Sequence, residues 1–336
     1  MNFVRIVAAM LFAILFTGLS SDKANALCAI LSASATPLSA NTGISAPPTP
    51  PAAQPVSIAI SGTFLAALGD LAGGCRAAIS FNRTSLPASM LISGGGMATL
   101  PYTLQTSSSG GNTLLYTGGG LPNTANVLPF SFPASILSLD NFNVTVTVWA
   151  QAQPGAVQQA GSYADPITID VFTSTLAGIL QAKASSQAFT VTGTVAKSCT
   201  IGGAAHPAAD TATIPITASG AVNTSPINRS YPNAVCNTPT NVQLISQNGA
   251  VITGATAGGL QHLIDYSASA TFSGATASLN TATIPGASGP ESGVVASTTG
   301  NTPTGSLGVT ISPQLNAQPL VAGSYSDTLT ITLTPQ

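Results

Sequence analysis

Gly161-Ser162-Tyr163-Ala164-Asp165-Pro166-Ile167-Thr168-Ile169-Asp170-Val171 is answered later in the chain by Gly323-Ser324-Tyr325-Ser326-Asp327-Thr328-Leu329-Thr330-Ile331-Thr332-Leu333. Both stretches open Gly-Ser-Tyr-x-Asp and run into strict alternation of apolar and polar residues. In the first, Ile167, Ile169 and Val171 share one side and Thr168 and Asp170 the other. In the second, Leu329, Ile331 and Leu333 alternate with Thr330 and Thr332. A period of two built from β-branched residues marks a strand with one buried face.

The likeness extends upstream of both copies. Cys75 precedes Gly161 by 86 positions and Cys236 precedes Gly323 by 87. Segment 144–148 resembles 307–311, Ala152-Gln153-Pro154 resembles Ala317-Gln318-Pro319, and Tyr102 stands 164 positions before Tyr266. One domain has been copied. A chain of 336 residues has room for two such domains, each with its own core. Its 33 Gly and 24 Pro divide the rest into short strands joined by turns. The expected fold is all-β: two tandem immunoglobulin-like β-sandwiches, each with one disulfide. Alternating Phe189, Val191 and Val195 form a further strand just before Cys199. It is placed either to fill a groove in the first domain or to open the second.

The expected boundaries are a signal peptide over 1–26, a first domain over 27–172, a linker over 173–187 and a second domain over 188–336. Leu176, Ile179 and Leu180 could line one helical turn within that linker. The amino-terminal segment has the composition of an export signal. Arg5 precedes an apolar run over 6–19, shorter than a membrane span, and Ala24-Asn25-Ala26 supplies small residues for cleavage. The cysteines Cys28, Cys75, Cys199 and Cys236 are even in number and lack the close pairs of a zinc site. The repeat pairs them within each copy, Cys28 with Cys75 and Cys199 with Cys236, in an oxidising compartment.

Composition narrows the function. With 7 Lys and Arg against 9 Asp and Glu, and a net charge of -2, no cationic stripe exists to neutralise a phosphate backbone, so nucleic acid is not an expected partner. The two histidines, His206 beside Pro207 and His262 before Leu263, read as loop or surface residues. No nucleophile elbow, zinc-binding helix or phosphate-binding loop motif occurs, and Asp165 and Asp327 recur with the repeat, as turn residues do. The chain does not read as an enzyme, and no cofactor or metal is expected. A carbohydrate-binding module would want aromatic platforms, whereas Trp149, the sole tryptophan, lies in an expected core strand.

The alternating strand leading to Cys199, the later Cys236 and the terminal Gly-x-Tyr-x-Asp strand resemble the spore coat U domain family. Its secreted members include Csu-type pilins of archaic chaperone-usher pili, and two such domains in one chain resemble a tip adhesin. The resemblance implies an amino-terminal adhesive domain and a carboxy-terminal pilin domain whose missing strand is supplied in trans. The implied partners are a periplasmic chaperone, an outer-membrane usher and an adjacent pilin. Cys28 would be the second residue after cleavage, leaving no donor arm and implying a place at the fibre end. The expected setting is the periplasm during assembly and the cell surface afterwards, in attachment and biofilm formation. The alternative is a secreted coat or matrix protein that does not polymerise.

For contact with an abiotic or host surface, apolar residues in Gly- or Pro-rich settings are the candidates. They are Phe64, Leu65, Leu68 and Leu71; Leu114, Leu115 and Tyr116; and Val127, Leu128, Phe130 and Phe132. Exposed apolar tips would gain roughly 25 cal/mol per Å² buried against a hydrophobic surface. Leu114, Leu115 and Tyr116 stand out because three consecutive apolar residues cannot all face inward from one strand.

Overall fold

A computed structural model describes residues 29–37, 41–44, 52–65, 75–86, 88–93, 97–132, 139–153, 157–174, 178–202, 209–255, 258–283 and 289–336. The protein is all-β, as its alternation predicts. The first half contains β1 (Ala29–Pro37), β2 (Asn41–Ile44), β3 (Gln54–Leu65), β4 (Cys75–Asn82), β5 (Ser89–Ile92), β6 (Thr99–Gln105), β7 (Leu115–Tyr116), β8 (Leu128–Phe132), β9 (Leu139–Ala152), β10 (Gly161–Ser174) and β11 (Leu180–Val195). The second contains β12 (Cys199–Ile201), β13 (Ile227–Cys236), β14 (Thr240–Ser246), β15 (Val251–Ile252), β16 (Leu263–Ile264), β17 (Tyr266–Phe272), β18 (Ala275–Asn280), β19 (Glu291–Ser292), β20 (Ala296–Ser297), β21 (Thr304–Pro313) and β22 (Leu329–Pro335).

In the first half, β1-β3-β9-β6 form one layer, and β10 carries β4 and β5 on one edge and β11 on the other. The inward residues obey the period of two: Val56, Ile58, Ile60 and Phe64 on β3 meet Val146, Val148 and Ala150 on β9 and Ile167, Ile169 and Val171 on β10. At one end of this core Phe132 stacks on Phe142, with centroids 4.4 Å apart, and meets Phe64 edge-on at 4.8 Å. In the second half the larger sheet runs β12-β13-β21-β17-β18, and the opposing layer is β14 flanked by β22, β19 and β20. Its core is smaller and less aromatic, built on Val242, Leu244, Tyr266, Ala270, Phe272, Leu279, Leu307 and Val309. The copies correspond strand for strand: the 144–148 and 307–311 echoes lie in β9 and β21, and Tyr102 and Tyr266 in β6 and β17.

Three expectations are corrected. The segment 173–187 is not a linker, because β10 runs on to Ser174 and β11 begins at Leu180, with Ser174 paired to Leu180. Backbone pairing extends the hairpin beyond the core, so it carries no alternation for a sequence reader to see. The helical turn is absent where the chain is described: Leu180 is in a strand and Ile179 is exposed, while Leu176 lies outside the described residues. The apolar tips are core. Phe64, Leu114, Leu115, Tyr116, Val127, Phe130 and Phe132 are all buried, and Leu128 packs on the main cluster. Leu114 to Tyr116 can all be buried because both faces of this layer are covered. Leu114 and Leu115 join the main core, and Tyr116 joins a second cluster of Ala78, Val127, Phe172 and Leu180. Leu68 and Leu71 lie outside the described residues, as does the side chain of Leu65.

Candidate functional site

The strand that the sequence could not assign belongs to the first half. β11 lies antiparallel along β10, with Gly161 opposite Val195, Tyr163 opposite Gly193 and Ile167 opposite Phe189. Phe189, Val191 and Val195 enter the first core, where the Phe189 ring lies 5.7 Å from Phe81. β2 then runs parallel along the outer edge of β11, with Thr192 opposite Asn41. The first sandwich is thus completed by the segment that immediately precedes the second half.

Among the described residues the second half has no counterpart of β11. β22 pairs with β14, from Thr240 opposite Pro335 to Ser246 opposite Leu329. Among the described residues no strand lies along its other edge. The two copies measure what that strand covers. Ile167, Ile169 and Val171 are at most 5% exposed, whereas their counterparts Leu329, Ile331 and Leu333 are only half-buried. Tyr163 is 1% exposed under Gly193, and Tyr325 is partly open. The result is a partly open apolar cleft edge: Leu329, Ile331 and Leu333 of β22 and Cys199 and Ile201 of β12, the edge strands of the two layers, pack only partly buried against a core that contains Val242 and Leu244. An edge of unpaired N–H and C=O groups above apolar side chains is a template for an added strand.

The opposite edge of the larger sheet, at β18, is crossed at one point. There Val294 crosses the edge of β18 and donates its N–H to Ser278 at 2.7 Å. Gly293 permits that crossing, since a Cβ would lie 2.3 Å from the Ser278 carbonyl oxygen.

The repeated motif supports the strand that forms the cleft. Gly161 and Gly323 sit where a Cβ would meet Ile92 at 2.9 Å and Thr253 Oγ1 at 2.7 Å. Tyr163 OH donates to the Gln159 carbonyl at 2.7 Å and Tyr325 OH to the Val321 carbonyl at 2.8 Å, four residues upstream in each copy, in the manner of a tyrosine corner. Asp165 accepts from Tyr102 OH at 2.7 Å and Arg83 Nε at 2.6 Å. Asp327 accepts from Tyr266 OH at 2.5 Å, Ser246 Oγ at 2.6 Å and the Asn248 N–H at 3.0 Å. In both copies a tyrosine of one layer therefore ties down the terminal strand of the other. Burial, reinforced by the neighbouring carboxylate, raises the hydroxyl pKa of Tyr102 and Tyr266 well above the ordinary tyrosine value.

Cys199 and Cys236 form a disulfide joining β12 to β13 beside the cleft. Cys75 is disulfide-bonded, and Cys28 lies outside the described residues. Sequence reading missed Arg83, Asp170 and Asn237. Asp170 had a visible signal, a carboxylate within an alternating strand where the second copy has Thr332.

No family model and no curated protein matches the chain. Solved structures that the chain matches include the CsuC-CsuE chaperone-tip adhesion subunit pre-assembly complex from archaic chaperone-usher Csu pili of Acinetobacter baumannii, at 14% identity over 91% of this chain and 99% of that one, with a TM-score of 0.39. The CupB6 tip adhesin from Pseudomonas aeruginosa matches at 9% identity over 92% and 96%, with a TM-score of 0.33. The CooA pilin subunit from enterotoxigenic Escherichia coli matches at 10% identity over 49% and 99%, with a TM-score of 0.30.

Proposed function

We propose that this protein is an exported adhesive subunit of a chaperone-usher type fibre, whose second half accepts a β-strand from a partner and whose first half is presented outward. The observation that supports this is the contrast between β10, covered by β11, and β22, uncovered although built on the same motif. The cleft takes an extended segment with alternating apolar residues, first from a periplasmic chaperone and then, through an outer-membrane usher, from the adjacent pilin. The strand preceding the second half stands where a donor would stand, and it is already used within the chain. That favours a place at the fibre end.

For adhesion the core residues Leu114, Leu115 and Tyr116 are excluded. Described strand ends point elsewhere: β3, β8 and β10 all finish near the Phe64, Phe132 and Phe142 cluster, at the end opposite Val195. In sequence those strands are followed by 66–74, 133–138 and 175–179, which carry Leu68, Leu71, Ile136, Leu137, Leu176 and Ile179, with Asp70 as their one charge. Substituting Leu68 and Leu71 with Ser is expected to reduce attachment of piliated cells to polystyrene. Unchanged attachment with normal pili would remove the apolar-tip reading.

The decisive experiment is co-expression of the exported chain with a candidate periplasmic chaperone, followed by purification. A one-to-one complex, broken by Ile331→Asp and retained by a charge placed on the first half at Leu121, supports the acceptor cleft. Absence of any complex, together with a thermal midpoint that excess alternating apolar peptide does not raise, would leave a secreted coat protein that does not polymerise.

A further inference from the structure

Asp170 is completely buried on the outer side of β10, and three groups converge on its carboxylate. Tyr116 OH and Ser186 Oγ each donate a hydrogen bond to it, and Lys183 Nζ lies 3.6 Å away. Ser186 and Lys183 both belong to β11. Tyr116 is fixed from the other side: it packs on Phe172 with centroids 6.1 Å apart, and its carbonyl accepts the Arg83 N–H at 3.0 Å. A carboxylate at zero exposure requires such donors, and removing some of them leaves a buried charge short of partners.

In the second half the same position is Thr332, and Thr330 and Thr334 flank it on the outer side of β22. A strand arriving there meets no carboxylate. The two acceptor edges thus share their apolar inward face and differ in this one buried charge. We propose that Asp170 is the specificity-determining residue that commits β11 to the first half and keeps it from pairing with the second half or with another copy of the chain. It selects by penalty: any other strand along β10 strands the carboxylate unless it carries donors at the positions of Lys183 and Ser186. That β11 must be withheld from assembly rests on the acceptor reading above, while the latch itself rests on the first half alone.

The test is hydrogen exchange on the full chain, followed by mass spectrometry over residues 187–195. Asp170→Asn is expected to speed exchange there by about tenfold or more, the scale of a lost hydrogen bond to a charged group, while β14, β17 and β21 are unchanged. The double variant Lys183→Met with Ser186→Ala alters only exposed side chains of β11 and should act in the same direction, so it decides the matter if Asp170→Asn does not fold. Wild-type exchange in β11 in every variant that folds would overturn the proposal. In a second arm, a labelled peptide of residues 183–195 carrying Lys183→Met and Ser186→Ala is added in excess and its cross-links are mapped. Capture in the first half by Asp170→Asn but not by the wild type supports the latch; capture there by the wild type overturns it. If the peptide fails to bind the second half of either protein, the acceptor reading loses support, and the exchange rates still decide the role of Asp170.

Discussion

The side-chain amide of Asn237 donates to the Ala196 carbonyl at 2.7 Å, and its oxygen accepts the Ser198 N–H at 2.8 Å. One fully buried residue beside Cys236 therefore holds both ends of the short passage from β11 to β12. Its own carbonyl accepts the Ala160 N–H of the first half at 2.7 Å. Asn237→Ala removes both of these part-buried bonds, and because water can replace them in part each loss costs about 0.5–1.5 kcal/mol. The expected outcome is faster proteolytic cleavage at 196–198 and a lower urea midpoint, with the Cys199–Cys236 disulfide still formed. Equal cleavage rates in variant and wild type would show that the passage is held by other contacts.

A matched pair of truncations measures the missing strand. Ile169 and Ile331 occupy the same place in the repeat, yet Ile169 is fully buried and Ile331 half-buried. Ile169→Ala should cost about 2–5 kcal/mol, the range for a large-to-small change in a closed core. Ile331→Ala should cost clearly less in the isolated protein. Once a donor peptide is bound, the second penalty should rise toward the first, and denaturation curves with and without peptide report the change. Equal penalties in the isolated protein would mean that the cleft is already filled.

The fold was readable wherever one face of a strand is buried and the other wet. Ile167 to Val171, Leu329 to Leu333 and Phe189 to Val195 have that property, and all are strands. Residues 181–187 were misread because β11 there has no inward apolar face: most side chains are exposed, and backbone pairing with β10, with Ser186 and Lys183 at Asp170, keeps it extended. Leu114 to Tyr116 were misread because flanking glycines suggest a tip, whereas the segment leads into β7, a short strand paired with β4 whose side chains enter apolar clusters on both faces of the layer. The cleft was only partly legible. Alternation shows that β22 has an apolar face, but the absence of a neighbour on its edge is a property of pairing that no local pattern encodes.

The disulfide beside the cleft should stabilise the second half selectively. Cys199 and Cys236 are 37 residues apart, and closing a loop of that length contributes about 4 kcal/mol in the chain-entropy model. Replacing both with Ala should lower the urea midpoint of the second half, followed by exchange in β17 and β21, without altering β3 or β9. A matched fall in both halves would show that they unfold as one cooperative unit.

Alkaline pH should unfold this protein through its buried tyrosines. Tyr102 and Tyr266 have hydroxyl pKa values raised by burial and by the carboxylates of Asp165 and Asp327, so the folded state holds protons that the unfolded chain releases. The stabilising contribution is complete below about pH 10, where unfolded tyrosine titrates, and is lost as pH rises toward the folded values. Each group should remove up to about 1.4 kcal/mol per pH unit above that point. Urea midpoints measured at pH 8 and pH 11 should therefore fall steeply in the wild type. Tyr102→Phe and Tyr266→Phe should each flatten that fall, Tyr102→Phe in the first half and Tyr266→Phe in the second, while lowering stability at pH 8 because Asp165 or Asp327 loses a donor. An alkaline slope that neither substitution changes would place the sensitivity in other groups.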